Sequence, residues 1–200
     1  MKHFAIAGLL ALSAGATTDA QMVDGNGNGV SSAYTTTSIA DCAVVEAQPE
    51  TGDFVWRCDG YGGMPVWVAE RHLRMYVSYG EMGLDALAWN QTPNGFNGIT
   101  DPFTIEWRLA EYDMAHAAMG QDYPEEYDTP RPFATVLRWN VTNPETNEAE
   151  QYLVVTNLAE GAICHTAHVN AYQANANIIA RESSNQTAGF DCELDEIWMR

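Results

Sequence analysis

FVWRCDGYGGMPVWVAERHLRMYVSYG, residues 54–80, reads as three strands joined by two turns, and the rest of the sheet is expected to build on it. In its last segment Leu73, Met75, Val77 and Tyr79 alternate with His72, Arg74, Tyr76 and Ser78, the period of two that a half-buried strand requires. Gly60, Gly62, Gly63 and Pro65 supply the turn before the middle strand, where positive or fixed backbone angles are needed.

Working outward, CAVVEA from Cys42 reads as a strand ahead of this unit. After it comes a turn-rich stretch, residues 81–100, with a short helix expected over GLDALAW. Phe103 to Leu109 alternates again, with Ile105, Trp107 and Leu109 inward and Thr104, Glu106 and Arg108 outward. A long connection follows, with a helical turn through AEYDMAHAAM and then the acidic QDYPEEYDTP. Phe133 to Val141 places Phe133, Thr135, Leu137, Trp139 and Val141 on one face, and NPETNEAE links it to a strand over Gln151 to Leu158. Beyond Gly161 the spacing of Val169, Tyr172, Ala176 and Ile179 predicts a helix. The expected fold class is α+β: a curved or closed antiparallel sheet of about 6–8 strands, one C-terminal helix and two disulfides.

The ends and totals bound the function. Residues 1–20 combine a charged start at Lys2, an apolar run and small residues, the pattern of a secretory signal peptide. Residues 21–38 are rich in Gly, Asn, Ser and Thr and are expected to be a flexible leader, with a single domain over 39–200. Asp24, Asn26, Asn28 and Gly29 match the start of a calcium loop, but its twelfth position is Thr35 and not a bidentate glutamate, so a linker is the expected reading. The formal net charge of −18 repels nucleic acid and anionic membrane surfaces. No segment has the roughly 20 apolar residues of a membrane helix. Four cysteines in an exported chain imply two disulfides, and local pairing, Cys42 with Cys58 and Cys164 with Cys192, is expected over the other two connectivities.

Candidate sites are scattered. Arg57, Arg74, Arg108 and Arg138 fall opposite the apolar residues of their strands. On neighbouring strands they would form a stripe whose forked donors fit an anionic group, or would pair with Glu70 and Glu106 as surface ladders. Trp67 lies between Val66 and Val68, which claim the buried side, and His72 shares the face of Arg74, so both join the arginines as ligand-binding candidates. His72, Ser78 and Glu81 are the nearest approach to a hydrolytic constellation, without a nucleophile-elbow motif. His165 and His168, three apart at the start of the expected helix, could share a face, but no third metal ligand accompanies them. Asp122, Glu125, Glu126 and Asp128 read as a solvated acidic loop.

The segments W-x-C-x-G-Y-x-G at 56–63, PVWVAE, VSYG, IEWRL, PFATVLRW and LVVTNL, with the Cys164-His165 pair and ANAN at 174–177, resemble a family of small exported bacterial proteins of unassigned function. The likeness spans Cys42 to Cys192 and implies an envelope location and oxidised cysteines, with no activity to carry over. The expectation is a periplasmic or secreted, non-catalytic binding or inhibitor-type module for a small anionic ligand or a protein. It takes no cofactor or metal, binds no nucleic acid and does not insert into the membrane. The alternatives are an envelope hydrolase built from scattered residues and a cation-dependent structural module.

Overall fold

The computed structural model describes residues 29–110 and 130–200. The signal-peptide segment, residues 21–28 of the leader with most of the calcium-like pattern, the expected helical turn after Ala110 and the acidic loop 122–128 lie outside the described residues. Among the described residues eleven strands join one open sheet: β1 (Val30–Thr37), β2 (Ala43–Gln48), β3 (Asp53–Asp59), β4 (Pro65–Arg71), β5 (Arg74–Tyr79), β6 (Phe96–Gly98), β7 (Phe103–Ala110), β8 (Pro132–Thr142), β9 (Ala149–Ala159), β10 (Ala162–Asn170) and β11 (Trp198–Met199). Among the described residues one α-helix, α1 (Ala176–Ser184), packs on it. The expected 6–8 strands and the closed option are both corrected: there are more strands, and the sheet keeps edges at β1, β2 and β11.

The sheet forks at β8. Its first half, Pro132 to Leu137, pairs with β7, and β7 pairs with β1. Its far end, Asn140 to Thr142, pairs with β6, which leads through a single parallel bridge to β5 and on through β4 and β3 to β2. The two branches fold over one another, and the main core fills the space between them. Val66, Val68, Val77 and Tyr79 meet Ile105, Trp107, Leu109, Leu137, Trp139 and Val154 there. Trp107 is wholly buried, edge-on to Tyr79 at 5.7 Å between ring centres, and its Nε1–H donates to Thr35 Oγ1 at 2.8 Å. Gly60 crosses so close that a Cβ there would lie 2.6 Å from the Trp107 ring, so only glycine fits.

Two smaller clusters cover the outer faces. Trp67, Tyr76, Trp89 and Leu84 pack with Val55 and Ala69 beneath short 3-10 turns at Gly83–Asp85 and Leu87–Asn90, where the sequence suggested one short helix. On the opposite side α1 buries Ala176 and Ala180 against Val136, Leu153, Val155, Ala167 and Val169. Small residues on that helix stripe let it sit close to the sheet.

Three local expectations are corrected. The Ser- and Thr-rich part of the expected flexible leader is strand β1, held by an unbroken register from Val30↔Ala110 to Thr37↔Phe103. Threonine and serine give little apolar signal, but β-branched threonine suits a pleated strand. The expected helix after Gly161 is strand through Asn170, and α1 begins only at Ala176. Arg108 does not point to solvent, because α1 covers that face of β7: it is 4% exposed. Both disulfides pair locally, Cys42 with Cys58 and Cys164 with Cys192.

Candidate functional site

The arginines expected to form a stripe are dispersed by the pairing. Arg57 registers with Trp67, whereas Arg74 registers with Arg71, four residues along β4 and therefore about 13 Å away. Arg57 lies 3.6 Å from Asp59. Arg74 donates through Nη2 to the Pro93 carbonyl at 3.1 Å. Arg108 is turned inward, its Nε donating to Ser184 Oγ at 3.1 Å and its Nη2 to Asn185 Oδ1 at 3.2 Å. Arg138 is exposed, with Nη1 donating to Gln151 Oε1 at 3.1 Å. Trp67 is half-buried and donates through Nε1 to the Gly80 carbonyl at 2.9 Å, so it is part of a packed cluster and not an open stacking face.

His72 lies in the turn before β5 and Ser78 near the far end of that strand, roughly 20 Å along the chain, so the hydrolytic constellation is not assembled. Ser78 is fully buried and its hydroxyl has no partner among the described residues. His72 and Leu73 instead form the two-residue turn between β4 and β5, with φ of 53° and 61°. Such turns favour Asn-Gly, because a side-chain Cβ in the left-handed region costs roughly 1–2 kcal/mol per residue. The turn holds Leu73 out in solvent, 72% exposed.

Leu73 stands at the rim of a groove of about 320 Å³ at the end of the β8–β9 hairpin, together with Phe96, 54% exposed, and Tyr172, 64% exposed. The floor is polar and ordered. Arg138 Nη1 donates to Gln151 Oε1, Gln151 Nε2 donates to Asn140 Oδ1 at 2.9 Å, and Asn140 Nδ2 donates to Thr100 Oγ1 at 3.0 Å. This chain fixes the sense of both amides. Each keeps one N–H and one lone pair beyond the chain. Asn97, Gly98, Val141, Thr142, Ala149 and Glu150 complete the lining among the described residues.

A second cavity of about 470 Å³ shares Val141 and Glu150 with the groove and reaches His168 and Tyr152. The loop on its wall is pinned from several sides. Thr92 Oγ1 donates to the Met75 carbonyl at 2.8 Å, Asn97 Nδ2 to the Pro93 carbonyl at 2.7 Å, and the His165 amide to Gln91 Oε1 at 2.7 Å. Tyr152 donates its hydroxyl to Glu150 Oε2 at 2.8 Å, and that bond to a carboxylate holds the phenol above its usual pKa.

His165 and His168 lie on β10 and not on a helix. Three residues apart on a regular strand they would face opposite ways. The register slips at Thr166, so that His165 opposes Thr156 and His168 opposes Val154, and both imidazoles face the core. Their ring nitrogens, Nδ1 of His165 and Nε2 of His168, are 3.1 Å apart. Burial pushes His165 down to about 3, with help from His168, and His168 down to about 4, so both are neutral at ordinary pH. Among the described residues no three His, Cys, Asp or Glu side chains gather where a metal ion could be held.

Sequence reading missed the groove, because Leu73, Phe96, Asn140, Gln151 and Tyr172 come from five separate stretches. The one local signal was His72-Leu73 occupying a turn position normally given to Asn-Gly. No family model, characterised protein or solved structure matches the chain.

Proposed function

We propose that this chain is an exported binding module, periplasmic or secreted and non-catalytic, that holds its ligand in the groove at the end of the β8–β9 hairpin. The observation that carries this reading is the groove's construction: exposed Leu73, Phe96 and Tyr172 stand over a floor of cross-bonded Asn140 and Gln151. Binding sites commonly join an apolar rim to a few oriented polar groups. Two disulfides fit an oxidising compartment. Among the described residues no helix is long and apolar enough to cross a membrane. The hydrolase alternative has one observation in its favour, the Glu150, Tyr152 and His168 lining of the adjoining cavity. Among the described residues no serine or cysteine lines that cavity, and His168 Nε2 is already bonded to His165.

The test immobilises the oxidised domain and its Phe96→Ala/Tyr172→Ala variant and challenges both with envelope protein and polysaccharide fractions. Material retained by the natural domain and lost from a folded variant supports the reading. Equal retention by both, or none by either, removes the groove as the binding seat. Cleavage of the retained material in place of holding it favours the hydrolase.

A further inference from the structure

We propose that the groove takes a short stretch of uncharged saccharide, with sugar C–H faces against Phe96 and Tyr172 and hydroxyls on Asn140 and Gln151; this rests on the binding reading above. Three observations select that ligand class.

The first is charge. Among the described residues Glu150 is the only ionisable side chain lining the groove apart from Tyr172, and the whole chain carries a formal charge of −18, so an anionic ligand is repelled both locally and at long range. Arg138 keeps its charge but stands outside the groove lining, where its Nη1 orients Gln151.

The second is the state of the backbone. A bound peptide in extended form draws its main-chain hydrogen bonds from an open strand edge. Here Asn140–Thr142 of β8 are paired on both sides, with β6 and with β9, so that stretch offers no edge to add to. Where the groove crosses β8, recognition falls to side chains.

The third is the chemistry of those side chains. The chain from Arg138 through Gln151 and Asn140 to Thr100 leaves each amide with a donor and an acceptor in a fixed plane. A sugar hydroxyl both donates and accepts, and so can use such a pair together. Aromatic rings at the rim offer the flat apolar surface that a pyranose C–H face needs, with little side-chain entropy lost on binding. The strained His72-Leu73 turn holds Leu73 in the rim at a cost to stability, as expected for a position kept for binding.

The experiment is calorimetric titration of the full oxidised chain with neutral oligosaccharides of hexose, N-acetylhexosamine and pentose units, and with uncharged peptides of matching length. Saturable binding of at least one oligosaccharide is expected, weakened tenfold or more by Tyr172→Ala and by Gln151→Ala. Leu73→Gly is the control against misfolding: glycine relieves the positive φ, so its Tm should rise while its affinity falls. Peptide binding lost in the same variants, without saccharide binding, overturns the saccharide class and leaves the groove reading standing. Saccharide binding unchanged in all three variants overturns both, and no saccharide binding at millimolar concentration overturns this proposal.

Discussion

His165 and His168 show how one extra residue changes the chemistry of a strand. The slip at Thr166 brings both imidazoles to the core side, where burial favours their neutral forms. The folded state thus holds pKa values of about 3 and about 4, against about 6.5 in the unfolded chain. Stability from these groups is complete above about pH 6.5 and is lost as the pH falls toward 4, because the unfolded chain takes up protons that the fold refuses. We expect about 2 kcal/mol lost per histidine between pH 7 and pH 5, read from urea denaturation at each pH. His168→Asn should flatten that slope, and an unchanged slope would mean the pair is solvated in solution.

At the level of elements, β1 and α1 are fastened to β7 by Glu106. Arg181 grips it with two bonds, Nε to Oε1 at 2.6 Å and Nη2 to Oε2 at 3.3 Å, and Nη2 also donates to the Tyr34 hydroxyl at 3.0 Å. Ser32 Oγ donates to Glu106 Oε1 at 2.7 Å, and Arg108 in turn donates to Ser32 Oγ. The carboxylate holds the Arg181 guanidinium above its usual pKa, although partial burial opposes this. Because Glu106 is mostly buried, removing one partner leaves a charge without full compensation. Arg181→Met should therefore destabilise by about 1–3 kcal/mol. In a double-mutant cycle with Glu106→Leu the two losses should be less than additive. Full additivity would show that the pair contributes packing alone.

For the molecule as a whole, the forked sheet leaves the β2–β3 hairpin at one margin and the C-terminal tail at another, and the disulfides sit at these two places. They close loops of 16 and 28 residues. On loop-closure entropy each contributes about 3 kcal/mol. Cys42→Ser/Cys58→Ser and Cys164→Ser/Cys192→Ser should each lower the unfolding free energy by roughly that amount, measured by denaturant titration. A loss near zero for the first pair would show that the β2–β3 margin is already unstructured in the unfolding transition.

The sequence by itself determined the hairpins from Phe54 to Tyr79, the inward face of Ile105, Trp107 and Leu109 and the strand ending in Trp139 and Val141, and it favoured the two local cysteine pairings without fixing them. These rest on period-two alternation and short loop closure, which are local quantities. Only the tertiary structure decided that β8 forks, that Arg108 is covered, that β10 replaces a helix and that a groove forms from five distant stretches. Where both faces of a strand are buried, as in β10 between the core and α1, alternation disappears and the apolar spacing imitates a helix. A site assembled across strands depends on register, and register is settled by the packing of the whole sheet.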